Sequence, residues 1–106
     1  MIYVLEEITI KPGRLDEYLT AFNEEYVPNA DARGMKLVGS WVTPPFELKD
    51  EGNQLVAMFA IEDGGFWSVR SHSREPEVLA WWEKAREMQV SRTRKFLNAT
   101  SFSPMT

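Results

Sequence analysis

His72 is the residue of this chain best suited to proton transfer, because it is the only histidine and there is no cysteine. Only an imidazole has an unperturbed pKa near neutral pH. His72 opens the segment HSREPEVLAWW (residues 72–82), just before a predicted helix. At such a loop position it could overlook a pocket and act as a general base. Its neighbours Ser71, Ser73 and Arg74 favour a simpler interpretation, in which the ring faces solvent or closes a turn.

Aromatic side chains form a second set of candidates, because indole rings can stack against a flat ligand and donate one N–H each. The chain has four tryptophans. Trp81 and Trp82 are adjacent, and neighbouring residues on a helix point in directions about 100° apart. The two cannot both face the core squarely, so we expect one to anchor the core and the other to meet a partner chain, a loop or solvent. The candidate ligand-binding residues are Tyr3, Phe22, Trp41, Trp67 and Trp82.

Glu6 and Glu7 occupy opposite faces of the predicted first strand, so one carboxylate must point inward or into an interface. A buried carboxylate needs a partner, because an unpaired buried charge is very costly. Arg33, Arg70 and Arg86 are the candidate partners. A buried glutamate–arginine ion pair is compatible with a structural role as well as with a catalytic one.

Composition excludes several classes of protein. A net charge of −4 argues against nucleic-acid binding, and the basic run Arg92, Arg94 and Lys95 is interpreted as solvated surface. One histidine without cysteine cannot build a usual zinc site, so we expect no metal and no cofactor. No stretch approaches the roughly 20 apolar residues of a membrane span. The N-terminus carries acids where a signal peptide carries basic residues, and we expect a cytoplasmic protein.

The hydrophobic pattern predicts the elements that must position these residues. Apolar residues alternate in the first two predicted strands and recur every three or four residues in the predicted helices. The third predicted strand is an unbroken apolar run, LVAMFAI, and the last is predicted from the β-favouring residues Phe96, Thr100 and Phe102. Ser73 is predicted to be the N-cap of the last helix, and Pro76 lies in its first turn. The strands are Ile2–Ile10, Met35–Thr43, Leu55–Ile61 and Phe96–Phe102, and the helices are Arg14–Asn29, a short Phe66–Ser73 and Pro76–Val90.

This order, β-α-β-β-α-β, predicts an α+β ferredoxin-like fold with a four-stranded antiparallel sheet, in a single domain over residues 1–106. Both helices then lie on one face, yet the first three strands carry apolar side chains on both faces. A second copy packing sheet against sheet would cover the open face, so we expect a homodimer. Alternatively, the Pro44–Asn53 loop or the C-terminal tail folds over it.

Three stretches of the chain resemble the NIPSNAP family of the dimeric α/β-barrel superfamily. They are YVLEEITIKPGRLDEYLTAF (Tyr3–Phe22), MKLVGSWVTP (Met35–Pro44) and SFSPM (Ser101–Met105). The resemblance implies a ferredoxin-like monomer whose sheet joins that of a partner, with a pocket between the sheet and its own helices. It implies no single reaction, because the superfamily includes cofactor-independent oxygenases, cyclases and heme proteins. Glu6-Glu7 departs from the acidic–basic pair that family members often show.

The sequence therefore predicts a NIPSNAP-type homodimer that binds a small apolar or aromatic molecule, with no assigned reaction. One alternative is a cofactor-independent oxygenase or cyclase, with His72 as base and Tyr3, Trp41 and Trp67 lining the pocket. The other is a non-catalytic interaction module. A cavity of several hundred Å³ reached by His72 would favour catalysis, whereas an interior filled by Phe22 and Trp82 would favour the interaction module.

Overall fold

A computed structural model describes residues 1–104 of the chain, so Met105, the last residue of the SFSPM motif, lies outside the described residues. A π-helical turn, Phe22–Tyr26, joins the first two helices into one continuous rod. In chain order the elements are β1 (Ile2–Ile10), α1 (Leu15–Ala21), α2 (Val27–Ala32), β2 (Lys36–Thr43), β3 (Gln54–Ile61), α3 (Phe66–Ser71), α4 (Pro76–Ala85) and β4 (Gln89–Asn98).

The four strands form one antiparallel sheet in the order β2-β3-β1-β4. This topology confirms the predicted ferredoxin-like α+β fold. Glu6 of β1 lies opposite Ala57 of β3 on one side and Arg94 of β4 on the other. Because side chains alternate along a strand, the even-numbered residues Val4 to Ile10 of β1 face the helices, where they are buried.

The first helical rod extends further than its sequence pattern indicated. We expected an end near Asn29, with Pro28 and Gly34 on either side of the exit, but the rod continues to Ala32. In the preceding π turn the Val27 N–H donates to the carbonyl of Phe22, five residues back. The wider turn places Pro28, which lacks an N–H, at the start of a new helix, where no donor is needed.

The C-terminal third differs most from the prediction. α4 ends at Ala85 rather than Val90, and β4 begins at Gln89 rather than Phe96. This edge strand has too little apolar alternation to show its period of two, since most of its residues are exposed. Ser73 is not the N-cap of α4: that residue is Glu75, and the Ser73 hydroxyl donates to the carbonyl of Arg70 instead.

The core lies between the helices and one face of the sheet, and aromatic rings fill its centre. Phe22, Tyr26, Phe59 and Trp81 are at most 4% exposed and their rings contact one another. Trp81 thus confirms that one of the adjacent tryptophans anchors the core. Within residues 1–104, no helix is both long and apolar enough to cross a membrane.

The other face of the sheet carries half-exposed apolar side chains, including Leu5 of β1 and Met58 of β3. The molecule is only 19 Å thick in its shortest dimension, which corresponds to one helix layer on one sheet. Phe46 of the β2–β3 loop and Phe102 of the tail are 67% and 94% exposed. Neither of these aromatic side chains covers the open face.

Candidate functional site

His72 directly follows the end of α3, and its side chain is about half exposed. Its Nδ1 atom lies 2.7 Å from the carbonyl oxygen of Ser68. A carbonyl only accepts, so Nδ1 carries the proton. Nε2 lies 3.4 Å from a carboxylate oxygen of Glu75, which gives an ion pair when the imidazole is protonated. Backbone and side-chain neighbours therefore hold the ring at the rim of a surface depression.

That depression, which we term the His72 cleft, has a volume of about 350 Å³ and lies among α2, α3 and α4. Six of its eight lining residues are polar or charged. It contains none of the aromatic residues that the sequence put forward as ligand contacts. The lining residues are Asn29, Ala32, Arg33, Ser68, His72, Glu75, Glu77 and Val78.

A second depression, the β2 cleft, has a volume of about 310 Å³ and lies between the first helical rod and edge strand β2. It brings together Phe22 and Trp41, two of the predicted ligand-binding residues. The register of β2 shifts between Leu37 and Gly39, which makes Val38 an extra residue in the strand. The lining residues are Leu19, Phe22, Asn23, Val27, Leu37, Ser40, Trp41, Val42 and Leu55.

The remaining aromatic candidates lie apart from both clefts. Trp67 is 76% exposed on α3 and packs edge-to-face against Phe66. Tyr3 lies on the open face of the sheet, half-exposed. Trp82 contacts the ring of Tyr26, and the guanidinium carbon of Arg92 lies 3.6 Å from a Trp82 ring centroid, a close cation–π contact.

A buried polar network links β1, β4 and the π turn. The Glu6 carboxylate is fully buried and accepts from the Tyr26 hydroxyl at 2.8 Å and from Arg94 at 2.7 Å. Arg94 also donates to the Tyr26 oxygen at 3.0 Å. The expected partners Arg33, Arg70 and Arg86 were therefore wrong, because β4 begins earlier than predicted and its register sets Arg94 beside Glu6.

Burial and the Glu6 charge set the protonation states in this network. Burial first, and Glu6 second, raise the pKa of Tyr26 well above its ordinary value, so its hydroxyl keeps the proton that it donates. The same two causes, in the same order, raise the pKa of Tyr18. Burial and then the nearby Arg94 lower the pKa of Arg92. Burial opposes the charge on Arg94 too, but Glu6 and Tyr26 outweigh it and raise the pKa of that guanidinium.

Glu6 and Tyr26 are fully buried and only Arg94 is partly exposed, so the network offers no open site for a substrate. Glu6 Oε2 and Arg94 Nε are buried without a hydrogen-bond partner among residues 1–104. The hydrogen bonds of the network connect the first helical rod to strands β1 and β4. Sequence reasoning missed Arg94 because its basic run was interpreted as surface. The two-residue spacing of Arg92 and Arg94 was the available signal, since it places both on one face of a strand.

Among residues 1–104, no three histidine, aspartate or glutamate side chains lie close enough together to hold a metal ion.

Solved structures with the same fold cover nearly the whole chain. An uncharacterized NIPSNAP domain protein from Burkholderia xenovorans superposes with a TM-score of 0.76 at 19% identity, over 98% of this chain and 99% of its own. A NIPSNAP family protein from Agrobacterium tumefaciens superposes with a TM-score of 0.70 at 24% identity, over the full length of both. This chain has the NIPSNAP fold. The resemblance found in the sequence is thereby confirmed at the level of the fold.

The NIPSNAP fold extends to a protein described as an antibiotic biosynthesis monooxygenase. That structure has a TM-score of 0.65 at 18% identity and covers 94% of this chain and 99% of its own. No protein-family model matches the chain, and no curated protein matches it. At these identities the likeness describes architecture, and chemistry must be argued from the residues themselves.

Proposed function

We propose that this protein is a homodimer of NIPSNAP fold that binds a small apolar or aromatic molecule in the β2 cleft. The lining of the cleft carries the proposal, because every lining residue except Asn23 and Ser40 is apolar. A concave apolar surface with a few polar groups is typical of sites for small organic molecules, and about 310 Å³ lies at the small end of their range. Phe22 contributes an aromatic ring to the lining.

The homodimer is proposed from the open face of the sheet. Leu5, Val56 and Met58 stand half-exposed on its central strands, and Trp41 and Leu97 extend the apolar surface to both edge strands. Apolar residues reach from one edge strand to the other on this face, with Glu7 and Lys95 among them, and an exposed apolar surface of this kind favours burial against another protein surface. A second copy presents the same surface, which suits a two-fold symmetric interface.

Ligand binding can be tested by filling the β2 cleft. Ser40 is exposed, lines the cleft and pairs with Ala57 on the helix side of the sheet. Ser40→Phe should fill the cleft without disturbing the core. We expect calorimetric titration with naphthol to show binding to the wild type and at least about tenfold weaker binding to the variant, a difference of about 1.4 kcal/mol.

The matched control is Ser101→Phe, which adds the same ring at an exposed position of the C-terminal turn, outside the lining of the cleft. Its naphthol affinity should equal that of the wild type. Equal affinity in Ser40→Phe and Ser101→Phe would place the binding elsewhere and remove the β2 cleft from the proposal.

A non-catalytic interaction module is the second candidate. The observation that favours it is the centre of the molecule, where packed rings of Phe22, Tyr26 and Trp81 occupy the space between sheet and helices. The oxygenase or cyclase alternative lacks comparable support, because His72 and Trp41 line different clefts. If naphthol and related aromatic probes fail to bind the wild type, the interaction module becomes the better explanation.

A further inference from the structure

Arg33 carries an unsatisfied guanidinium at the wall of the His72 cleft. The residue is only 8% exposed, at the C-terminal end of α2, with its guanidinium carbon 5.9 Å from the centroid of the Tyr26 ring. Its Nε donates to Asn29 at 3.1 Å. Both terminal nitrogens are buried and have no hydrogen-bond partner among residues 1–104. Leaving charged donors buried and unpaired is costly, so these nitrogens lack an acceptor that a ligand could supply.

The opposite charge is present in the same cleft. Glu75 and Glu77 line it with Arg33, and Glu75 lies beside His72. Glu77 is exposed and forms no hydrogen bond or ion pair with any described residue. The cleft therefore contains one unpaired cation and one unpaired carboxylate within a space of about 350 Å³.

We propose that the His72 cleft binds a small amino carboxylate, with the ligand carboxylate on Arg33 and its ammonium group near Glu77. A planar guanidinium fork matches a carboxylate with two parallel hydrogen bonds. A simple anion would satisfy Arg33 but would face two glutamates. A simple cation would satisfy Glu77 and leave Arg33 unpaired. A molecule that carries both charges satisfies both ends.

This site is separate from the β2 cleft, so the two proposals stand or fall independently. The terminal nitrogens of Arg33 are shielded from solvent in the unliganded protein. Binding therefore includes a small movement of the guanidinium toward the cleft. Asn29, which now receives its Nε–H, also lines the cleft and can follow that movement.

The experiment uses His72 as a reporter, because the ring signals of the only histidine are unambiguous in a nuclear magnetic resonance spectrum. The wild-type protein is titrated with glycine, β-alanine and γ-aminobutyrate, which separate the two charges by increasing distances. Acetate and methylammonium are titrated in parallel as single-charge probes. We expect at least one amino carboxylate to shift the His72 signals with at least about tenfold higher affinity than either single-charge probe.

Three variants localise the contacts. Arg33→Lys keeps the charge but loses the planar fork, and it should weaken the best probe by about tenfold. Glu77→Gln, at an exposed position, should weaken it by about fivefold. Glu83→Gln is the matched control on the same helix, because Glu83 is paired with Arg86 outside the cleft. The proposal is overturned if no amino carboxylate shifts the His72 signals, if acetate binds equally well, or if Glu77→Gln behaves like Glu83→Gln.

Discussion

Glu6 shows how one residue can link distant parts of this fold. Its buried carboxylate accepts from Tyr26, 20 residues away, and from Arg94, 88 residues away. Replacing a buried ion pair by apolar residues often leaves stability unchanged, whereas removing one partner is strongly destabilising. The energetic importance of Arg94 therefore lies in compensating Glu6, which desolvation would otherwise penalise.

Arg94→Met tests this role, because it keeps the length of the side chain and removes its charge. The Arg94 side chain is 23% exposed while that of Glu6 is fully buried, so we expect a loss near the lower end of the range for broken buried pairs, about 3 kcal/mol. The free energy of unfolding is measured by urea denaturation at a constant protein concentration. Adding Glu6→Gln to the variant should recover part of the loss.

Arg86→Met is the control for Arg94→Met, because Arg86 is mostly exposed and makes only a surface pair with Glu83. Its effect should stay within about 1 kcal/mol. If both methionine variants unfold alike, the network around Glu6 contributes no more than an ordinary surface pair.

At the scale of elements, the loop between β2 and β3 is organised around the buried side chain of Asn53. Its amide donates to the carbonyls of Pro44 and Phe46 and accepts from the N–H of Leu48. Its backbone carbonyl accepts from the N–H of Ile10 at 2.8 Å. The loop is thereby attached to the end of β1, and it holds the edge of the sheet that forms one wall of the β2 cleft.

Gly52 makes this attachment possible, and Gly52→Ala should be costly. Gly52 has φ +81°, and a Cβ atom there would lie 2.4 Å from the backbone oxygen of Ile10. Gly13 has nearly the same φ, +79°, but no atom within 4 Å of such a Cβ. We expect Gly13→Ala to cost about 1–2 kcal/mol from the left-handed conformation alone, and Gly52→Ala to cost at least about 1 kcal/mol more.

Both alanine variants are compared by thermal and urea denaturation. Equal losses at the two positions would mean that the loop shifts away from Ile10 without cost, so that backbone conformation, and not the close contact, determines the effect.

At the scale of the whole molecule, the two faces of the sheet differ in what covers them. The helices bury one face under a continuous aromatic core, whereas the other keeps half-exposed apolar residues on each strand. The described residues 1–104 form two layers and place no third layer on the open face. The proposed homodimer follows from this asymmetry.

Sedimentation at micromolar concentration should therefore give twice the chain mass of 12.2 kDa. Met58→Glu places a charge in the middle of the open face and should yield a folded monomer. Leu79→Glu is the control, because Leu79 is 54% exposed on α4, on the helix side. A wild-type protein that sediments at the mass of one chain would refute the dimer.

The sequence by itself determined the elements whose signals are local. β1 was predicted residue for residue from its period of two, and the first helix, β2 and β3 followed from apolar spacing and turn residues. The order of these elements was enough to indicate the ferredoxin-like topology. The end of the first helical rod could not be predicted from local spacing. Pro28 lacks an N–H, and the π turn that lets the rod continue through it is visible only in the tertiary structure.

Only the tertiary structure decided where β4 begins, which arginine pairs with Glu6, and which candidates share a cleft. An exposed edge strand has no apolar alternation to mark its start, and its register comes from hydrogen bonds to β1. Tertiary packing also brings His72 and Arg33 together, because they are 39 positions apart in the sequence but line one cleft. Local periodicity determines an element, whereas a site depends on packing between elements that are distant along the chain.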